Sequence, residues 1–309
     1  MSELTKKKLF HYRKALNQDG TLFGDIVIII SMVLVCFITI YPLWYVFILS
    51  ISDPIHAATM QVYTIPKGLY FDTYALIAKK TELWRSYGYT ILYVVSQTLL
   101  TLLTSLLMGY VLSTKKLFMR KFLVFYILIP MYFGGGLIPT FLLISRLGLY
   151  NTIWALILPG SYSIWYMILV RTYFTSLGES LRESARIDGA GHYTILFKIY
   201  IPLAKPILAV IAIYTVVGVW NSYFSSLVYQ PNAAIQPLQM YLRSVLVTET
   251  VDMQAGMSAT EMEALVRKQL SNNQIKHAMI MFTTLPVLFV YPWFQKHFVK
   301  GVMLGSLKG

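Results

Sequence analysis

The chain has 309 residues, of which 57% are hydrophobic and only 13% charged, and its mean hydropathy is +0.61. Soluble globular domains carry about 25% charged residues, so this composition excludes a soluble domain and places the chain in a membrane. The formal charge of +13 raises nucleic acid as a partner, but its distribution between apolar segments argues against one.

The N-terminal tail, residues 1–25, carries Lys6, Lys7, Lys8, Arg13 and Lys14. A secretory signal peptide also opens with positive charge, but its apolar region is short and ends at a small-residue cleavage site. Here the apolar run continues from Ile26 to about Ser50 and closes in Tyr41-Pro-Leu-Trp-Tyr45, which predicts an uncleaved spanning helix. A helix crossing a bilayer needs about 20 mostly apolar residues. Five further stretches qualify: Gly88–Leu112, Phe122–Ile144, Thr152–Val170, Pro206–Val228 and Ala278–Phe294. None of the six contains Asp, Glu, Lys, Arg or His. Pro130, Gly134-Gly135-Gly136 and Pro139 fall in the third and Pro159-Gly160 in the fourth. Such breakers are tolerated in a membrane where neighbouring helices or a water-lined cavity satisfy the freed backbone groups. The lone cysteine, Cys36, lies in the first span and excludes a disulfide within the chain. The expected fold is all-α integral membrane, with six transmembrane helices in one domain over residues 26–309 and no internal repeat.

Orientation follows from the basic residues between spans. With the N-terminus inside, 17 of the 26 Lys and Arg residues fall on the cytosolic side and 9 outside. The positive-inside rule then places both termini in the cytosol, together with the loop over residues 171–205. The outer loops are residues 51–87 and 229–277. Within the second, Ser258–Leu270 has helix-forming residues with Glu261, Glu263, Arg267 and Lys268 at polar positions. Loops of that length are functional or disordered.

The 171–205 loop has its own helical signals. Ser180-Leu-Arg-Glu183 reads as a capping box, predicting a helix from Leu181. Gly189 supplies a sharp turn, and Asp188 or Gly191 stands where a second helix begins. That helix, about His192–Tyr200, has Ile195, Leu196 and Ile199 at helical spacing, with Pro202 ending it. From residues alone, the loop is either an ordinary interfacial hairpin or a knob that docks in a partner's groove.

The segment Glu183-Ser-Ala-Arg-Ile-Asp188-Gly189-Ala190, with Phe197, Ile199, Pro202 and Pro206 after it, resembles the pattern E-A-A-x-x-D-G-A of the membrane subunits of ATP-binding-cassette importers. Ser184 alone departs, replacing alanine with another small residue. Most of the chain, including Met131–Thr140, Trp220-Asn221 and Tyr291–Gly305, resembles carbohydrate-type, maltose-permease-like subunits, in particular the aldouronate and complex-polysaccharide branch. The resemblance implies a type I importer permease fold with a cytosolic coupling helix in the cell membrane of a prokaryote. It implies a second permease (a heterodimer), two ATPase subunits, an extracytoplasmic solute-binding lipoprotein and a saccharide substrate. ATP and Mg would sit on the ATPases, leaving no cofactor on this chain. In that picture Glu183 pairs with a basic residue of the ATPase, Asp188 caps the following helix and Gly189 permits the turn. Ser184, Ala185 and Ala190 allow close docking.

Other assignments depend on the residues themselves. Asn221 beside Trp220 and Tyr223 suits a sugar, which is held by aromatic faces and amide or hydroxyl hydrogen bonds. Those rings equally serve as interfacial anchors, as do Trp44, Tyr45, Trp165, Tyr166 and Trp293. Gly134–Gly136 either line a substrate path, with Tyr132 and Gly135 as its residues, or let a neighbouring helix approach closely. No Gly-Lys dipeptide occurs, so the chain has no phosphate-binding loop of its own. Spans without charge argue against an ion-coupled sugar carrier, and a sensor or receptor scaffold is the other alternative. The five histidines share no metal-ligand spacing and no nucleophile–base arrangement stands out, so neither a metal nor catalysis is expected.

Overall fold

The computed structural model describes residues 22–247 and 270–289. The basic tail before Leu22, the Ser258–Leu270 helix expectation up to residue 269, and the Tyr291–Gly305 segment with Trp293 lie outside the described residues. Among the described residues every regular element is helical, apart from a single β-bridge between Ser52 and Leu69. The described residues divide into two compact units, 22–74 with 270–281, and 75–247 with 282–289.

In the first unit, helix α1 (Leu22–Ile51) runs for 30 residues and is apolar on every side. From Gly24 onward it is long and apolar enough to cross a membrane, and its most apolar stretch buries none of its surface within the chain. Such all-round apolarity suits a hydrocarbon environment. Its C-terminal end does pack: Ile48 and Leu49 meet Val62. The Trp44 indole donates to the Thr64 carbonyl at 3.0 Å, folding the 60–67 segment back along α1. Asp53 caps the short helix α2 (Pro54–Ala58) by accepting from the Ile55 amide at 2.9 Å. Helix α3 (Asp72–Ala78) follows.

The second unit is built on helix α4 (Thr81–Ser113), 33 residues long. Its buried residues are Ser86, Thr90, Tyr93, Gln97, Thr101, Ser105, Gly109 and Ser113, with Leu83, Tyr110 and Leu112. Steps of three and four put these small and polar side chains on one helical face, while Val95, Leu99 and Leu103 point outward. This reverses the soluble pattern, because in lipid close packing and interhelical hydrogen bonds join helices and apolar side chains face the hydrocarbon. That face receives helix α8 (Ile164–Ser176) and helix α11 (Lys205–Trp220). At Gly109 the approach is tight. A Cβ there would lie 2.6 Å from Val170 Cγ1.

Three of the remaining expected spans are broken, while the last, Ala278–Phe294, is helical up to residue 289 and continues outside the described residues. Phe122–Ile144 is helix α5 (Arg120–Tyr132) and helix α6 (Leu137–Arg146), meeting at 110°. Gly136, with φ of +85°, makes the corner. Thr152–Val170 splits into helix α7 (Trp154–Gly160) and α8. The hydroxyl of Ser163 accepts from the Tyr166 amide to start α8 anew. Pro206–Val228 stops at Trp220 and resumes as helix α12 (Phe224–Tyr229). Helix α9 (Glu179–Ile187) and helix α10 (His192–Leu203) connect α8 to α11, and α10 meets α11 at 76°. Helix α13 (Leu238–Val247) and a helix over 270–289 complete the described residues. Among the described residues, two helices are long and apolar enough to cross a membrane, or up to four with each bent pair taken as one. Hydropathy registers apolar length and is blind to the backbone corners that glycine, proline and serine introduce.

Candidate functional site

The Glu183 loop is shaped by three glycines. Gly178, at φ +85°, turns the chain out of α8 and directly into α9, without a side-chain cap. Ser180 therefore lies inside the helix and the expected capping box does not form. The helix starts two residues early, with Glu179 in its first turn, where a carboxylate complements the helix dipole. At the other end, Ala190 N–H bonds the Ala185 carbonyl at 2.9 Å and Gly189 N–H the Arg186 carbonyl at 3.0 Å. With Gly189 at φ +82° this is a Schellman turn, so Gly189 serves as expected. Asp188 is the C-cap of α9; the N-cap of α10 is Gly191. Capping of the second helix by Asp188 is thus corrected. The Schellman bonds fix Asp188 to the first helix. Helix α10 also continues through Pro202 instead of ending there, by way of a wide π-type turn over Ile195–Tyr200. That widening precedes a residue that has no N–H and crowds the preceding turn.

The loop has two unlike faces. Inward, Ala185, Ile195, Leu196 and Tyr200 are buried against Tyr110, Val170 and Phe174. Ala185 packs in the chain's own core, which corrects its expected place at a partner surface; Ala190 is half-buried beside it. Among them lies Arg182, only 1% exposed. Its guanidinium donates to Ser113 Oγ at 2.9 Å and to Thr114 Oγ1, both at the C-terminal end of α4. The Tyr110 and Tyr200 rings flank it, 4.9 and 5.2 Å from ring centre to guanidinium carbon, and Glu179 lies 3.9 Å away. Outward, Glu183, Ser184, Asp188 and Gly189 are exposed, as are Ile187 at 86% and Tyr193 at 79%. Arg186 and His192 bridge the two helices at 3.2 Å. The outward face therefore exposes two large apolar side chains among polar ones. Sequence reasoning missed Arg182 and Ile187. Arg182 stands three residues before Ala185, on the same helical face, but an arginine on that face reads as solvated until its partners on α4 are known.

Over residues 16–304 the chain matches the model of the family described as binding-protein-dependent transport system inner membrane component. The chain belongs to this family. It is similar to Protein LplC of Bacillus subtilis strain 168, 36% identical over 272 residues, which cover 88% of this chain and 90% of LplC. It is also similar to the polygalacturonan/rhamnogalacturonan transport system permease protein YtcP of the same strain, 34% identical over 285 residues, 92% of this chain and 98% of YtcP. Among solved structures, a bacterial ABC transporter involved in the import of the acidic polysaccharide alginate superposes with a TM-score of 0.81 at 31% identity. It covers 91% of this chain and all of that one. The protein is thus a membrane-embedded permease, a non-catalytic component of a transport complex.

In the permease the expected path residues separate into two groups. Tyr132, 75% exposed, and Gly135 sit at the α5–α6 corner. Trp220, Asn221 and Tyr223 sit at the break between α11 and α12. Trp220 is buried; its Nε1 donates to the Thr283 carbonyl at 3.2 Å and its ring meets Tyr87 edge-on. Asn221 Nδ2 donates back to the Val217 carbonyl at 3.0 Å, closing its own helix. Tyr223 is part-exposed, with the Arg243 guanidinium 5.8 Å over its ring. None of the five lines the open cavity of about 200 Å³ bordered by Thr90, Tyr93, Gln97, Ser222, Ser226 and Tyr229, among others. Around that cavity Gln230 Nε2 donates to Tyr93 Oη at 2.8 Å, and Tyr93 in turn donates to the Ile235 carbonyl at 2.7 Å. Gln97 donates to the Leu156 carbonyl.

Proposed function

We propose that the permease forms half of the translocation path of an ATP-driven, binding-protein-dependent saccharide importer, and that the Glu183–Ala190 segment receives the ATPase stroke. Its similarity to permeases named for polygalacturonan/rhamnogalacturonan and arabinooligosaccharide transport supports a saccharide cargo. The chain crosses the membrane six times, with both termini and the α9–α10 loop in the cytosol, in keeping with the 17 of 26 basic residues on that side. It pairs with a second, homologous permease. Two ATPase subunits, which hold ATP and Mg, and an extracytoplasmic solute-binding lipoprotein complete the complex. Tyr132, Gly135, Trp220, Asn221 and Tyr223 border the substrate path.

The observation that carries the coupling role is the contrast between the two faces of α9. A partner pushing on Glu183, Ile187 and Gly189 meets an exposed tip, while Arg182 and Ala185 behind it are locked to the end of α4. Displacement of the tip therefore moves α4, which is how ATP closure would reach the spans. The test is Gly189→Asp in the reconstituted complex. No atom lies within 4 Å of a Cβ built at Gly189, so the fold accommodates the change at the cost of a positive φ. Expected are continued ATP hydrolysis and loss of sugar uptake. Uptake at the normal rate would refute the coupling role.

A further inference from the structure

Between α4 and α5 lies the sequence Thr114-Lys-Lys-Leu-Phe-Met-Arg-Lys121, and no Asp or Glu occurs anywhere between Glu82 and Glu179. Lys115, Lys116 and Lys121 are exposed. Arg120, at the start of α5, donates Nε to the Leu112 carbonyl at 2.9 Å, and its two terminal nitrogens bond nothing among the described residues. Helix α5 packs against α8, which carries Arg171. The Nε of Arg171 is buried without a partner. Burial first, and then the charge of Arg120, push its guanidinium down from the usual range. Among the described residues no carboxylate lies within 4 Å of any of these five cations. Helix α5 also opens without a side-chain cap, on Met119 in the left-handed region. The amides of Lys121 and Phe122 donate to no acceptor outside the helix, leaving two N–H groups directed along the axis beside the cations.

From this corner an apolar stripe runs along α5. Phe122 (55% exposed), Phe125 (65%), Tyr126 (63%) and Ile129 (38%) recur at helical spacing, and Phe118 is 84% exposed beside the cations. A cluster of cations at the head of an open apolar stripe matches one ligand chemistry, a phosphodiester bearing acyl chains. We infer that the first turn of α5, with Arg120, Lys121 and Arg171, binds the phosphate of an anionic phospholipid whose chains lie along Phe122, Phe125 and Tyr126. Like charges brought together without an acid gain most from a shared divalent or monovalent anion, and basic pockets between spanning helices hold such headgroups. The site rests on the six-span topology proposed above, which puts the α4–α5 loop in the cytosol. It does not rest on coupling to an ATPase.

The test uses the full complex in detergent without ATP, with native mass spectrometry after addition of phosphatidylglycerol, phosphatidylcholine or inorganic phosphate. Phosphatidylglycerol should be retained over phosphatidylcholine. Retention should fall by about 25-fold in the double variant Arg120→Gln/Lys121→Gln, at about fivefold for each basic residue near an anionic headgroup. Because Arg120 also holds the α4 end, Lys121→Gln/Phe122→Ala is the second variant, and it should lose retention while the complex stays assembled. Equal retention by the wild type and both variants overturns the site. Displacement of the lipid by inorganic phosphate alone overturns the lipid assignment, as does retention unchanged by Phe122→Ala. An impermeant thiol reagent on Lys116→Cys, applied to each side of the membrane, reports orientation separately, so a wrong orientation is distinguishable from an absent site.

Discussion

Arg182 is the buried charge of α9, and its surroundings predict an unusual order of mutational costs. Removing the arginine as Arg182→Met keeps an unbranched side chain between the Tyr110 and Tyr200 rings. The hydroxyls left behind are not stranded: Ser113 Oγ already donates to the Tyr110 carbonyl at 2.7 Å, and Thr114 Oγ1 to the same carbonyl at 3.3 Å. The loss is then two charge-assisted hydrogen bonds and two ring contacts, offset by relief of the guanidinium's desolvation. The net cost is about 1–3 kcal/mol. Removing the acceptors instead, as Ser113→Ala/Thr114→Val, leaves a buried cation with only Glu179 at 3.9 Å and an Nε that already lacks a partner. That change should cost more, about 3–5 kcal/mol. Denaturant titration of the detergent-solubilised permease, followed by far-UV circular dichroism, measures both. The triple variant should recover toward the cost of Arg182→Met alone, because the stranded charge is gone. If Arg182→Met costs more than the acceptor pair, or the triple variant costs the sum, the guanidinium is not held as the structure places it.

Two further outcomes follow from local geometry. Gly109→Ala places a Cβ 2.6 Å from Val170 Cγ1 and 3.1 Å from the Arg171 amide nitrogen, so α4 and α8 must separate; destabilisation of about 1–3 kcal/mol is expected in the same titration. Combined with Val170→Ala it should cost less than the sum of the two single changes, and additivity would show that the helices do not meet there. His277, with Nδ1 buried and unpartnered, has its pKa pushed below 6.5 by burial first and by Lys276 second. Its folded pKa is depressed, so the unfolded chain binds the proton more readily. Its contribution to stability is present above about pH 6.5 and is lost as pH falls through the lower, folded value. His277→Gln should flatten that acid-side slope. A slope unchanged by the substitution would assign it to other groups.

The composition of the chain determined its environment, and the motif from Glu183 to Ala190 determined its family. Both are legible because each depends on residue identity at short range: apolar content sets solubility in lipid, and Gly189 must occupy the left-handed turn that closes α9. Local rules reached their limit at the ends of elements. Ser180 has the right spacing for a capping box, yet Gly178 starts the helix first, and Asp188 belongs to the helix before it because the Schellman bonds hold it there. The places where the apolar runs break depend on backbone corners that an apolar run conceals. Arg182 and Ala185 are decided furthest from the sequence. Nothing local distinguishes Arg182 from a solvated arginine or Ala185 from a docking alanine. Their roles come from Ser113, Thr114 and Tyr110, about 70 residues earlier in the chain, brought under α9 by packing between helices that only the tertiary structure specifies.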